Sequence, residues 1–231
     1  MPVDRTQTGY DRTRNGYETR RAGDDLDPSA RMRYKGISMA DERSTARVYE
    51  LRISLRDVEP DVWRRLRVRS DVTLSELHRT LQIVMGWQDT HLHRFHAGDQ
   101  VYGPRDPEYP EQRDERRAVV ADVMTAGEGR LVYEYDFGDG WSHDVVLERI
   151  FDPDAAETYP NVVDGRRSCP PEDCGGPLGY EDLLHALANP RQRRNRELVE
   201  WVGESFDPEA FTVEATNRAL LRGRGRRRSV R

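Results

Sequence analysis

The residues whose types and spacing could support chemistry begin with a histidine cluster in the stretch GWQDTHLHRF. His91, His93 and His96 stand close together there. If the stretch is a strand, His91 and His93 point to one face and His96 to the other, because side chains alternate along a strand. Two imidazoles on one face could bind a transition metal, with ligands from a neighbouring hairpin. The alternative is a set of half-buried histidines that form local hydrogen bonds.

The second candidate segment is YDFGDGWSH, residues 135–143. Asp136 and Asp139 lie around its glycines, and Trp141 and His143 follow. Two carboxylates and a histidine could perform general acid-base catalysis or metal-assisted hydrolysis. A tight hairpin turn would also use Asp and Gly at these positions, and it accounts for Asp139 and both glycines. We therefore expect Asp136, Trp141 and His143 to be the residues that the turn explains least.

The two cysteines form a third candidate group. Cys169 and Cys174 are separated by four residues in CPPEDCGG, a spacing close to that of zinc-binding cysteines. Together with His143 they could hold zinc. The alternative is two small buried thiols, and two cysteines are too few for a disulfide framework.

Charge is distributed unevenly along the chain. The formal net charge is -5, yet the C-terminal stretch is basic and contains no acid from Arg222 onward. Its arginines could neutralise phosphates and give salt-sensitive affinity for nucleic acid, or they could simply solubilise the chain. These residues are Arg222, Arg224, Arg226, Arg227 and Arg228.

Composition also predicts the location and the domain organisation. No apolar run reaches the roughly 18 residues that a membrane span requires, and no signal pattern opens the chain, so we expect a cytoplasmic protein with no membrane contact. Residues 1–46 alternate in charge with little apolar periodicity, which predicts a disordered arm. Residues 47–213 form the predicted domain. Residues 214–231 are expected to be a basic, disordered tail.

Hydrophobic periodicity predicts an α+β fold. Alternation from Val48 predicts a strand hairpin, and the capping pair Thr73 and Glu76 opens an amphipathic helix that Gly86 closes. Further hairpins follow, and the proline-rich residues 151–179 are expected to be an irregular wrap before C-terminal helices. This order predicts a small mixed β-sheet, β-grasp-like, with one helix packed across it.

Three motifs together resemble one protein family. They are GWQDTHLHRF at 86–95, YEYDFGDGWSHDVVLE at 133–148 and CPPEDCGGPLGYEDLL at 169–184. In this order they are similar to the plasmid pRiA4b ORF-3-like family, also described as insertion-element passenger proteins of TnpR type. The resemblance implies an α+β fold and a bacterial protein associated with plasmids and mobile elements, in a family without an established activity. Family members often carry a further cysteine shortly before CPPED, where this chain has Asn161 and Val162, which weakens the argument for a cysteine cluster.

Two functions from different classes follow from these patterns. The first is a non-catalytic accessory or binding module that contacts nucleic acid or a partner protein and needs no cofactor. The second is a metal-dependent hydrolase or nuclease, with zinc or manganese held by a His/Asp cluster. The residues of that cluster would be His91, His93, Asp136, Asp139 and His143.

Overall fold

The computed structural model describes residues 46–203 and 205–228, with the backbone alone for 224–228. The predicted arm over residues 1–46 therefore lies, except for Ala46, outside the described residues.

Eight strands and five α-helices make up the described part of the chain. The strands are β1 Val48–Leu55, β2 Trp63–Arg69, β3 His93–Ala97, β4 Gln100–Gly103, β5 Arg113–Asp114, β6 Arg130–Tyr135, β7 Trp141–Phe151 and β8 Asn161–Arg166. The helices are α1 Leu74–Met85, α2 Val120–Ala126, α3 Gly176–Ala188, α4 Arg196–Val202 and α5 Val213–Arg228, and a short 3-10 turn at Arg193–Asn195 precedes α4.

The strands form one mixed sheet in the order β5-β4-β3-β6-β7-β1-β2-β8. All neighbours are antiparallel except β4 and β5. Alternation in β1 and β2 buries residues such as Leu51, Ile53 and Leu66 on the face that the helices cover. The predicted α+β class with a mixed sheet and helices is confirmed, and the sheet is larger than the small one expected.

The opposite face of the sheet carries a layer of cross-strand ion pairs. These include Arg65 with Glu148, Arg67 with Glu50, and Arg94 with Glu134. Arginine and carboxylate side chains thus pair across neighbouring strands and, for Arg65 and Glu148, across the intervening β1. This face is consequently close to neutral despite its many arginines.

Helix α1 begins and ends where its sequence predicts. The Thr73 hydroxyl accepts a hydrogen bond from the Glu76 amide at 3.2 Å, and the Glu76 carboxylate accepts one from the Thr73 amide at 3.0 Å. This reciprocal pair satisfies two amides that have no partner inside the helix. Gly86 ends the helix with φ of 89°, a left-handed conformation that suits glycine.

The segment expected to be an irregular wrap contains strand β8. It pairs with β2 at the edge of the sheet. The buried Arg64 of β2 fixes this edge, because its guanidinium donates to the carbonyls of Arg166 and Arg167, each at 2.8 Å, and to that of Val84 in α1 at 2.9 Å. The flanking prolines at 160 and 170 indicated irregular structure, so the local sequence pattern did not predict this strand.

Helix α5 runs through most of the segment predicted as a disordered tail. Its Leu220 is buried, and the Asn217 side chain bonds to both the amide and the carbonyl of Val162 in β8 at 2.7 and 2.8 Å. The predicted domain boundary at residue 213 therefore falls at the start of a helix. These long-range contacts stabilise a segment that carries little apolar periodicity of its own.

No helix among the described residues is both long enough and apolar enough to cross a membrane.

Replacing Thr73 by Ala is expected to lower the free energy of unfolding by about 1 kcal/mol, because the Glu76 amide loses its side-chain acceptor. Urea unfolding followed by circular dichroism measures the change. Thr73→Ser keeps the hydroxyl and should stay close to the wild type. Equal loss in both variants would contradict the capping role.

Candidate functional site

Three loops, one from each of the motifs at 86–95, 133–148 and 169–184, meet beyond the ends of the central strands. We call them the first loop, residues 87–92, the second loop, residues 136–140, and the third loop, residues 169–175. The first two are joined by a hydrogen bond from the Asp136 amide to the Leu92 carbonyl at 2.9 Å. Segments distant in sequence thus build one surface.

The third loop is held against the other two by side-chain carboxylates. Glu172 accepts a hydrogen bond from the Gln88 amide at 2.8 Å, and Asp139 accepts one from the Gly175 amide at 3.1 Å. Gly176 follows with φ of 71°, and a Cβ there would come within 2.3 Å of the Asp139 carbonyl oxygen. Only glycine allows this approach of the third loop to the second.

At this junction one imidazole faces three carboxylates. The Nε2 atom of His91 lies 3.2 Å from Asp173 Oδ1, 3.7 Å from Asp136 Oδ2 and 3.8 Å from Glu172 Oε2. The ligating atoms of His91, Asp136 and Asp173 all lie within 4.8 Å of one another. Asp136 reaches this position from the turn itself, where its other oxygen, Oδ1, accepts from the Gly138 amide at 3.0 Å.

Two atoms of this cluster are buried without a hydrogen-bond partner: His91 Nε2 and Glu172 Oε2. Buried polar atoms almost always have a partner, so two such atoms facing each other need an explanation. The carboxylates also lack a balancing cation, since no arginine of the described residues forms an ion pair with Asp136, Glu172 or Asp173. The Asp136 side chain is only 9% exposed, which increases the cost of leaving its charge uncompensated.

A divalent metal ion would satisfy these atoms. With bonds of about 2.1 Å, neighbouring ligand atoms stand about 3.0 Å apart in an octahedral site and about 3.4 Å apart in a tetrahedral one. His91 Nε2 lies 3.2 Å from Asp173 and 3.7 Å from Asp136, each within about 0.3 Å of the tetrahedral spacing. His91, Asp136 and Asp173 could bind the ion directly, and Glu172 stands beside them.

Aromatic residues support the cluster from below. Tyr135 donates to Glu172 Oε1 at 3.0 Å and accepts from the Thr90 amide at 3.2 Å. Burial raises the pKa of Tyr135, so the phenol keeps the proton that it donates. Trp87 stacks on Tyr135 at 4.8 Å and donates to the Pro170 carbonyl at 3.0 Å. These contacts fix the first and third loops relative to the sheet.

A second group of ligating atoms lies deeper, where His78, Asp89 and His93 come within 4.8 Å of one another. His93 bonds to the buried Glu115 carboxylate at 2.7 Å. The rings of His78 and His93 are stacked at 3.4 Å and are parallel to within 4°. A metal lies in the plane of each imidazole that binds it, and two parallel stacked planes share no such point. This group therefore fits a metal poorly without rotation of both rings.

The deeper group instead forms a closed ring of hydrogen bonds. Gln82 donates to the Tyr133 hydroxyl at 2.9 Å, so the phenol proton is directed to His78 Nδ1, also at 2.9 Å. His78 Nε2 then donates to Asp89 Oδ1 at 2.8 Å, and the Asp89 amide donates to Gln82 at 2.8 Å. Burial, followed by the neighbouring His93, lowers the pKa of His78, which favours this neutral form. The ring ties α1 to the first loop.

The histidines predicted to share a strand face do not act together. Strand β3 begins at His93, and His91 lies in the preceding first loop, so the assumed alternation does not extend to it. In place of a strand ladder, the Thr90 amide of the first loop donates to Tyr135 and the Gln88 amide donates to Glu172. His96 lies on the opposite face, where it pairs with Glu134 at 3.1 Å, as the alternation predicts.

His143 and Trp141 belong to the core. Both are fully buried, and His143 Nδ1 donates to the Tyr133 carbonyl at 3.1 Å. Burial lowers the pKa of His143 to about 4, so it is neutral near neutral pH. His143 is not a ligand of either group of candidate metal-binding atoms among the described residues. Alternation in β7 places His143 on the inner face of the sheet. The sequence analysis did not assign this position to the core.

The cysteine thiols belong to neither group of candidate metal-binding atoms among the described residues. Cys169 is buried, Cys174 is half-buried, and both are free thiols. Burial, followed by the charges of Asp139 and Asp173, raises the pKa of Cys174 to about 12. Among described residues neither cysteine joins His143 or any group of three ligating atoms. The predicted zinc site of Cys169, Cys174 and His143 is therefore not formed.

Sequence reading missed Glu172 and Asp173 as candidate site residues. They lie between the two cysteines, which were the only candidate ligands identified in that loop. The signal that could have found them is the position of two adjacent acids in a proline- and glycine-bounded loop of one of the three motifs.

Known proteins are similar to this chain over most of its length. The family model described as "Plasmid pRiA4b ORF-3-like protein" matches residues 47–215. "Uncharacterized protein y4hQ" of Sinorhizobium fredii is 39% identical over 178 residues, which cover 76% of this chain and 91% of that protein. A crystal structure, "Protein of Unknown Function MM3350 from Methanosarcina mazei Go1", aligns with a TM-score of 0.70 and 34% identity, covering 74% of this chain and 97% of that one.

His143 should make stability depend on pH. Its pKa is about 4 when folded and near 6.5 when unfolded, so its neutral form favours folding above pH 6.5. As pH falls from 6.5 to about 4, the unfolded state takes up the proton first, and roughly 3 kcal/mol of stability is lost.

Urea unfolding of the wild type and of His143→Gln at several pH values between 4 and 7.5 tests this expectation. The glutamine does not titrate, so its stability should fall less on acidification than that of the wild type. His185→Gln, at an exposed position on α3, is the matched control and should keep the wild-type dependence. Identical slopes for wild type and His143→Gln would contradict the assignment.

Proposed function

The chain belongs to the plasmid pRiA4b ORF-3-like family, and we propose from the geometry of its loop junction that it is a divalent-metal-binding protein. The relatives that it matches carry no assigned activity. The ion is held by His91, Asp136 and Asp173. The observation that supports this most directly is the buried Nε2 of His91, which has no hydrogen-bond partner and three carboxylate oxygens within 3.8 Å.

The chemistry of the ligands indicates the class of ion. One imidazole with two or three carboxylates suits a borderline divalent ion such as Mn²⁺ or Zn²⁺, whereas Mg²⁺ and Ca²⁺ prefer oxygen ligands alone. Two ligand carboxylates neutralise the ion, which removes the mutual repulsion between them. The ion thus stabilises the junction of the three loops as well as occupying it.

Mn²⁺ or Zn²⁺ titrated into the metal-free full-length protein should bind with a stoichiometry of one, measured by calorimetry and by elemental analysis after gel filtration. His91→Ala and Asp136→Asn should each weaken binding by tenfold or more, because each removes one ligand. Asparagine keeps the Oδ1 that caps the second loop, so Asp136→Asn tests the ligand with little effect on the turn.

His96→Ala is the matched control, since it removes an imidazole from the opposite face of the sheet. It should bind the metal as the wild type does. A wild type without bound metal, or a loss that is equal in His96→Ala and His91→Ala, would refute the site. At an ion concentration of 100 times Kd, bound metal should raise the stability of the wild type by about 2.7 kcal/mol.

The cellular setting of the protein is proposed from the family resemblance. We propose an accessory protein of plasmids and mobile elements, of the TnpR passenger type, located in the cytoplasm. Its partner would be a second protein or nucleic acid.

For nucleic acid, the charge distribution favours the C-terminal arginines over the sheet. The arginines of the outer sheet face are already paired with acids, as in Arg65 with Glu148 and Arg94 with Glu134. Arg222 is exposed on α5, and the helix backbone continues to Arg228. The basic end of α5 is therefore the proposed contact for phosphates.

Replacing Arg222, Arg224, Arg226, Arg227 and Arg228 by Gln should weaken binding to a fluorescein-labelled random DNA duplex and flatten its salt dependence. Each lost phosphate contact reduces the slope of log K against log salt by about 0.9. The control replaces the four arginines at 191, 193, 194 and 196, whose charge Glu197 and Glu200 partly offset. Fluorescence anisotropy at several salt concentrations measures both. Unchanged binding in the C-terminal variant would rule out this contact.

A further inference from the structure

We propose that Glu172 is the general base of a metal-dependent hydrolytic reaction at the loop junction, and that its substrates are neutral carbonyl compounds, esters or amides, with an apolar acyl group. This inference rests on the proposed metal site. It adds a reaction, a role for a fourth carboxylate and a substrate class.

Glu172 is held differently from the three proposed ligands. Its Oε1 atom is engaged twice, by the Gln88 amide at 2.8 Å and by the Tyr135 hydroxyl at 3.0 Å. Its Oε2 atom is buried, has no hydrogen-bond partner and lies 3.8 Å from His91 Nε2. The carboxylate is thus fixed through one oxygen while the other is free and directed at the proposed ion.

A free oxygen in this position suits proton transfer. A bound divalent ion lowers the pKa of a water molecule beside it, and a carboxylate within hydrogen-bond reach can then take the proton. Tyr135 and Gln88 prevent the carboxylate from turning away, because both bonds to Oε1 would have to break. Preorganisation of this kind is what a general base requires.

The reaction balances without any further reagent. The water oxygen forms a bond to the substrate carbonyl carbon, and its proton passes to Glu172 Oε2. When the tetrahedral adduct collapses, the bond from carbon to the alcohol oxygen or amine nitrogen breaks, and Glu172 returns the proton to that leaving group. One water and one ester or amide give a carboxylic acid and an alcohol or amine.

Charge at the junction selects the substrate. Four carboxylates lie there, those of Asp136, Asp139, Glu172 and Asp173, and no arginine of the described residues forms an ion pair with any of them. One divalent ion cancels two of these charges and leaves the site negative. A phosphodiester would be repelled, whereas a neutral carbonyl compound would not.

Exposed apolar side chains adjoin the same loops. Leu92 of the first loop is 58% exposed and Phe137 of the second loop is 42% exposed. Leu178, in the first turn of the helix that follows the third loop, is 77% exposed. Of the six large apolar residues exposed in the described part of the chain, these three lie in or just after the three loops. They suit the apolar acyl part of a substrate.

Full-length protein loaded with Mn²⁺ or Zn²⁺ tests the inference with three probes: p-nitrophenyl acetate, p-nitrophenyl butyrate and bis(p-nitrophenyl) phosphate. Hydrolysis of both esters should depend on the metal and be faster for the butyrate, and the phosphodiester should not be cleaved above the rate of free metal. Glu172→Gln should lower kcat/KM for the esters by about 10²- to 10⁴-fold, the usual contribution of a general base.

Metal binding by Glu172→Gln separates this inference from the proposed function. The variant should bind the ion within about threefold of the wild-type Kd, and His96→Ala should retain both binding and hydrolysis. Metal binding without hydrolysis of either ester would overturn the inference and leave the metal site standing. Cleavage of the phosphodiester alone, or full ester activity in Glu172→Gln, would also overturn it.

Discussion

Glu172 makes the hydrogen bonds on which the loop junction depends. Through one carboxylate oxygen it joins the Gln88 amide of the first loop to the Tyr135 hydroxyl at the end of β6, and it belongs itself to the third loop. Charge-assisted bonds of this kind are stronger than bonds between neutral groups. The positions of His91 and Asp173 beside the second loop follow from this arrangement.

The polar groups beneath the junction show how the sheet supports it. A closed ring of hydrogen bonds joins His78, Gln82, Tyr133 and Asp89. Because their polar atoms are paired, burying these side chains costs little free energy. The ring also determines where the first loop begins. The core beneath the site is therefore partly a hydrogen-bonded scaffold, in which a neutral His78 has a defined tautomer.

The local sequence pattern predicted those helices and strands that are specified by residues close together in the chain. The capping pair at Thr73 and Glu76 defined α1, and alternation defined the hairpins, because these signals depend on residues within a few positions of one another. Strand β8 and helix α5 were missed, since their stability comes from distant partners such as Arg64 and Asn217.

The candidate site was predicted only in part for the same reason. His91 and Asp136 were identified from residue type, and the fold brings them together. Glu172 and Asp173 join the site only because the third loop packs against the second. No local sequence spacing predicts this contact. His143 was misjudged because a histidine facing a core and a histidine facing a site have the same local sequence signal.

The loop junction has a consequence for folding. His91, Asp136 and Asp173 are supplied by segments far apart in the chain, and none of these segments contains the site on its own. Long-range contacts of this kind form only after the chain has closed large loops, which is entropically costly and slow. The site therefore forms late in folding, when the sheet is complete. Binding of an ion there would indicate that the whole domain has folded.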